Sequence, residues 1–292
     1  MMDKLMGMLP GGYFDASARL HREFELGVLT GRDEEMLAES RRAQPAALVS
    51  AVLSRAVRRI GDISPVTEQI ARELLVADRQ YLLLCLRQAT FGNLVRADLF
   101  CPWADCGSRM QIQFCIDQVP VEEASERAPV YSMTLSQDAL DESDKAQREV
   151  RFRLPNGEDQ EAVSPLLAHN EAEALSMLLA RAVQAGPEVI DQLSPRARME
   201  IEAEMERVAP KIEPSIETAC QECGRSFAAP FDVQRFFFGE MRTDGDLLYR
   251  QVHYLAYHYH WSESEIMAMP RTKRIQYVDL LAEELERLNN GA

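Results

Sequence analysis

The sequence predicts an α+β protein, mainly helical, in which two cysteine-bearing β-hairpins are separated by an insert of a further β-hairpin and helices. Three observations predict it. Long stretches place apolar residues at steps of three and four, the period of a helix with one buried face. Around the pairs Cys101/Cys106 and Cys220/Cys223 the period drops to two, that of a half-buried strand. The 113 residues between those pairs carry helical and strand patterning of their own, so they read as a folded insert.

Taken in order, residues 1–15 are dense in Met, Gly and Pro and read as a loosely packed start. "HREFELGVL" alternates at Phe24, Leu26 and Val28 and predicts a strand. "TGRDEEMLAE" opens with a capping residue and acidic side chains, the signature of a helix start. In "PAALVSAVLSRAVRRIG" the residues Leu48, Val49, Val52, Leu53, Ala56 and Val57 draw one buried stripe, with Pro45 in the first turn. "SPVTEQIARELLVADRQYLLLCLRQATFG" supplies one or two helices. Asp78 reads there as the N-cap of 79–90, Cys85 as a packed thiol and Gly92 as the stop.

"VRADLF" and "MQIQFCID" flank the first cysteine pair as strands, with Met110, Ile112, Phe114 and Ile116 on one face and Cys115 on the other. A short strand is expected near 130–135 and another at Val150, Phe152 and Leu154, followed by the turn signal "PNG". "NEAEALSMLLARAV" predicts a helix with Ala174, Leu175, Leu178 and Leu179 inward. Ser194 and Pro195 open the next one. "KIEPSIETACQECGRSFAAPFDV" repeats the strand, knuckle, strand form. "RFFFGEMRTDGDLLYRQVHYLAYHYH" predicts one or two helices, "SESE" a capping box from Ser262 to Glu265, and "RTKRIQYVDLLAEELERLNNG" a last helix with Ile275, Val278, Leu281 and Leu285 on one stripe. This divides the chain into residues 1–96, a strand plus helices; 97–119, the first hairpin; 120–211, the insert; 212–233, the second hairpin; and 234–292, a helical end.

The four paired cysteines carry the strongest chemical signal. Zinc takes four tetrahedral ligands, and thiolates presented on two hairpin knuckles supply them. Cys220–Cys223 has the common C-x2-C spacing with Gly224 behind it. Cys101–Cys106 is two residues wider. The strands on both sides make this a split zinc-ribbon-like pair with Cys101, Cys106, Cys220 and Cys223 as ligands. A closed set of four thiolates leaves no position for substrate, so the expected role of the zinc is structural. The opposing reading is two unrelated thiol pairs. A redox C-x-x-C sits at a helix start after a strand, whereas Cys220 and Cys223 lie between strands.

The chain has 292 residues, a formal net charge of −15 and 46% hydrophobic residues. Acidity of that size argues against a general nucleic-acid binder, which needs basic surface to displace counterions. The first residues lack the apolar core of a secretory signal, and the longest apolar run, Tyr81 to Leu86, is far too short to cross a bilayer, so a soluble intracellular protein without a membrane role is expected. Six cysteines in that setting point to metal or free thiols rather than disulfides. His253, His258 and His260 are spaced five and two apart, which suits neither a helical metal site nor a catalytic pair, and they read as packing or interface residues with the aromatics around them. "RFFF" reads as core, the acidic "DALDESDK" as a solvated loop, and "RTKR" as surface. No phosphate loop, nucleophile elbow or H-E-x-x-H is present, so no enzyme and no small-molecule substrate is expected.

Three functional readings follow: an interaction protein; a zinc-ribbon nucleic-acid-binding or regulatory protein; and a redox or metal-dependent enzyme. The charge of −15, with only Arg109 and Arg225 close to the knuckles, counts against the second, and heparin retention at low salt would separate it from the first. An accessible low-pKa thiol or an open metal position would be needed for the third.

The order of "GRDEEMLAE", "ADRQYLLLCLRQATFG", a knuckle, "VRFRLPNGEDQE", a second knuckle and "YHWSESEI" resembles the T-even-phage-type baseplate protein family, the baseplate hub assembly chaperones of contractile-tailed phages and phage-tail-like contractile injection systems. The resemblance covers about residues 26–285. It implies a protein that helps build a baseplate hub or wedge by binding other baseplate subunits, in the bacterial cytoplasm during assembly, and it leaves open retention in the tail particle. It carries over no catalytic residue. The Cys101–Cys106 step is wider than the tighter pair expected of the family.

Overall fold

In the computed structural model, residues 4–40, 44–139, 149–167, 169–183, 193–213 and 215–290 are described, and most of the acidic run 138–145 lies outside them. The described chain is mixed α and β, with helices around several small antiparallel sheets.

The chain begins as a strand. β1 (Lys4–Phe14), β2 (Leu20–Gly27) and β3 (Val57–Ile60) form an antiparallel sheet in that order. The expectation of a loosely packed start at 1–15 is overturned over β1, and the reason lies in Gly11 and Gly12. The β1–β2 register shifts between Met8 and Tyr13, freeing both glycine N–H groups to donate, at 2.8 Å each, to the two oxygens of the Asp78 carboxylate. A glycine-rich bulge at a turning strand is what allows this approach. Gly12 sits at φ +99, and a Cβ on Gly11 would lie 2.5 Å from Leu75 Cδ1.

α1 (Gly31–Glu39) starts as its sequence implies, with Thr30 and Asp33 in a reciprocal capping box. α2 (Pro45–Ala56) has Pro45 in its first turn but stops one residue before Val57. Val57, expected on the helical stripe, starts β3. It satisfies both periods, and pairing with Leu26 decides the matter. α3 (Glu68–Glu73) leads to α4 (Val76–Phe91), the central helix, whose residues Leu82 to Leu86 are buried on every side and which ends at Gly92 with φ +89.

Asp78 is not the cap of α4. The helix begins two residues earlier, and backbone from the insert bonds around its start: Val76 N–H to Pro155 C=O at 3.1 Å and Gly157 N–H to Leu74 C=O at 3.1 Å. Asp78 is fully buried under β1 instead. The neighbouring Arg79 is also fully buried and donates to the carbonyls of Ala46 and Ala71 and to the Ser50 hydroxyl. Burial pushes the Asp78 carboxyl up to about 6, against the opposing pull of the Gly11 and Gly12 amides and of Arg22 and Arg127. The folded protein therefore holds this proton more tightly than the unfolded chain, where the group titrates near 4. Its stabilising contribution is full below pH ~4 and is lost as the pH rises through about 6. Asp78→Asn is expected to flatten that part of the pH–stability curve, read as urea midpoints between pH 4 and 7. An unchanged slope would place the titration elsewhere.

β4 (Leu94–Phe100) and β5 (Arg109–Cys115) form the first cysteine hairpin, and β10 (Ser215–Ala219) and β11 (Ser226–Pro230) the second. Between them the insert closes at its neck, where β6 (Val121–Glu122) pairs with β9 (Lys211–Ile212). Within it β7 (Tyr131–Thr134) pairs with β8 (Glu149–Phe152), followed by α5 (Gly157–Leu167), α6 (Glu171–Ala182) and α7 (Pro195–Val208). The turn signal "PNG" carries the chain from β8 into α5, where the Asn156 side chain and the Asp159 carboxylate bond each other's backbone N–H groups. One expectation here is corrected. On α6, Ala174 and Leu179 are buried as expected, Leu178 is half-buried, and Leu175 is exposed.

The C-terminal part is one long helix, α8 (Val233–Tyr259), then the short α9 (Glu263–Met267) with its Ser262–Glu265 capping box, then α10 (Arg271–Asn290). Phe237 and Phe238 are core, and Tyr259, Trp261 and Tyr277 pack together at the helix end. The "RTKR" segment is surface only in part: Lys273 is exposed, but Arg271 and Arg274 are buried, both bonded to the buried Glu34 on α1. One core cluster joins the sheet, α2, α4, both cysteine hairpins and the start of α8.

The four-cysteine cluster as a candidate metal centre

The two knuckles meet. Phe114 of the first hairpin and Phe231, just past the second, stack edge to face at 5.1 Å, and Val95, Met110 and Ile112 are buried beside them. This shared apolar face brings cysteines more than a hundred residues apart to one point. Each knuckle closes in the same way: the N–H of its first cysteine donates to the carbonyl two residues beyond its second, Cys101 to Ser108 at 2.9 Å and Cys220 to Arg225 at 3.0 Å. Gly107 (φ +58) and Gly224 (φ +71) turn the chain where an L side chain would be strained. A Cβ at either would meet nothing within 4 Å, so dihedral angle and not space requires glycine. The wider Cys101–Cys106 spacing is absorbed by an extra turn closed by Trp103, whose carbonyl accepts from the N–H groups of Cys106 and Gly107.

The four sulfurs lie within 4.8 Å of one another. Cys101 Sγ is 3.8 Å from Cys223 Sγ, and Cys106 Sγ is 3.8 Å from Cys220 Sγ. A tetrahedron of Zn–S bonds about 2.3 Å long has edges of about 3.8 Å. A disulfide would need the sulfurs at about 2.05 Å, and all the cysteines are free. The donor set and its spacing are therefore compatible with a metal site. Cys85 is buried in the main core and Cys115 lies outside the cluster. Among the described residues no other group of three or more potential ligands converges, and the histidines of "HYLAYHYHW" do not come together as one.

Side chains around the sulfurs complete the arrangement. The Ser108 hydroxyl lies 3.2 Å from Cys106 Sγ and 3.3 Å from Cys220 Sγ. It lowers both thiols, Cys220 to about 6 with the help of the Cys223 and Glu222 amides. Burial pushes Cys101 the other way, up to about 12. A dication holding all four as thiolates must displace the Cys101 proton, so affinity for it falls as the pH falls. Across the junction, Arg225 on the second knuckle makes a two-pronged ion pair with Asp105 on the first, one arm at 3.0 Å, and its guanidinium lies 5.2 Å from the Trp103 ring centroid. Ser108, Asp105 and Trp103 carry no signal in the sequence that marks them as site residues. Arg225 was visible only as a basic residue near a knuckle.

Residues 24–238 match the family described as T4 bacteriophage base plate protein. The chain belongs to that family. The matched span of the base plate family includes both knuckles and the whole insert, so the four-cysteine cluster lies inside it. Residues 241–292 match a second family, one of unknown function (DUF6760). No curated protein matches the chain, and no solved structure does. No described helix is long and apolar enough to cross a membrane.

Proposed function

We propose that this chain is a non-enzymatic assembly protein of a contractile tail, working in the bacterial cytoplasm to build a baseplate hub or wedge by binding other baseplate subunits. The base plate family match over residues 24–238 carries the reading. The acidic, patterned and motif-poor sequence supports it, because it offers surface for other proteins and no constellation for chemistry. A structural zinc on Cys101, Cys106, Cys220 and Cys223, in a split zinc ribbon, belongs to the same proposal, and the sulfur spacing supports it. Its work is to hold the neck of the 120–211 insert against the N-terminal core, so that a binding surface made from both keeps its shape.

The test is co-expression of the full chain with each tail subunit encoded beside it, followed by size-exclusion chromatography at physiological salt. Co-elution with at least one subunit is the expected result. Failure with every subunit, together with retention on heparin, would overturn the reading in favour of a nucleic-acid-binding protein.

A further inference from the structure

An apolar groove of about 670 Å³ opens where the insert meets the N-terminal core. Its walls are Leu75 before α4, Val163 and Leu167 on α5, Leu175 and Leu178 on α6, and Ile212 on β9. Leu167 and Leu175 at its mouth are 52% and 51% exposed. Leucines on two adjacent helices, both half in water beside a concave apolar wall, form a contiguous patch rather than scattered surface residues. The buried Gln160 side-chain oxygen, also in the lining, has no hydrogen-bond partner. Around the groove the charge is mostly negative: Glu206 and Glu213 line it with Lys211, and the exposed Glu171 sits one turn before Leu175 on the same helix face.

We infer that this groove is a docking site for an amphipathic helix of a partner protein, one carrying bulky apolar residues on one face and Lys or Arg beside them. Recognition of this kind lays the apolar face of a helix into a hydrophobic groove, with anchors three and four residues apart. The charge selects the partner. A second copy of this chain is a poor occupant, because the exposed leucines it could offer on α10, Leu280 and Leu288, stand among Asp279, Glu283, Glu284 and Glu286, with Arg287 as the one basic neighbour. An acidic helix on an acidic rim is repelled, while a basic one is steered in and held. The inference rests on the reading of the chain as an assembly protein and names the surface and partner chemistry that reading leaves open.

The test uses the full chain and two fluorescein-labelled model peptides, one of Leu and Lys at helical period and its counterpart with Glu in place of Lys, followed by anisotropy at physiological salt. The Lys peptide is expected to bind and the Glu peptide not. Leu175→Asp is expected to weaken binding about tenfold or more, Leu167→Asp likewise, and Leu280→Asp, remote from the groove, not at all. Hydrogen exchange should slow in α5 and α6 when the Lys peptide is added. Equal binding to all variants would mean charge alone and would overturn the inference, as would no binding, or a dimer that Leu175→Asp dissolves. The two proposals fail separately. A tail subunit that still co-elutes with Leu175→Asp sinks the groove alone. A groove that binds the Lys peptide in a chain that captures no tail subunit sinks the assembly role alone.

Discussion

Cys220→Ser is expected to remove the metal and to lower Tm by roughly 8 °C, a loss of about 5 kcal/mol for a chain of 292 residues. Zinc held by four thiolates stabilises small zinc domains by about 10–16 kcal/mol, because there it is the core. Here only part of that is at stake, since Val95, Met110, Phe114 and Phe231 still pack around the hairpins without it. Serine keeps the size of the side chain and removes the soft donor, so the change reports on ligation rather than packing. Mass spectrometry of the metal content should give one zinc per wild-type chain and none in the variant, and a chelator should reproduce the melting shift. Cys115→Ser should change neither, because Cys115 lies outside the cluster. Wild-type protein without metal, or a variant that melts with wild type, would refute the zinc proposal. Acidification should release the ion, since protons compete for thiolates that include the buried Cys101.

The four cysteines that cluster could be picked out from the sequence because cysteine type, spacing and the flanking period of two are local signals. What surrounds them is not local. Arg225 finds Asp105 across 120 positions, and Ser108 reaches a sulfur 112 positions away, so neither pairing leaves a trace in its own segment. The same limit explains the errors in the fold. Asp78 looks like a cap because caps are local, yet its carboxylate serves two amides of a strand more than sixty residues earlier. The "PGG" segment looks loose because glycine permits disorder as readily as it permits a bulge. Long helices with strong periods, such as α4 and α10, were legible because burial on one side or on all sides is written in their own residues.

Glu34→Ala should cost about 3–5 kcal/mol, through the fully buried Arg274 left without its anion. Glu34 is buried on α1 and accepts from Arg271 at 3.0 Å and Arg274 at 2.6 Å, while Gln251 on α8 accepts from Arg274 at 2.8 Å. Arg274 is fully buried and Arg271 nearly so. Their charge cannot be shed, because guanidinium stays protonated. The triad joins the two matched families: Glu34 lies in 24–238 and the arginines in 241–292. Breaking it should therefore loosen α9 and α10 first. Hydrogen exchange should quicken over 263–290 and in α1 before the hairpins or α4 are affected, and the denaturant midpoint should fall. Replacing all three, Glu34→Met with Arg271→Leu and Arg274→Leu, should recover much of the loss, because a buried ion pair offsets little more than its own desolvation and Arg274 Nη1 already lacks a partner. A single variant as stable as wild type would mean that water reaches the arginines. A triple variant less stable than Glu34→Ala would mean that the charges contribute net stability to the docking of the C-terminal helices, beyond keeping one another neutralised.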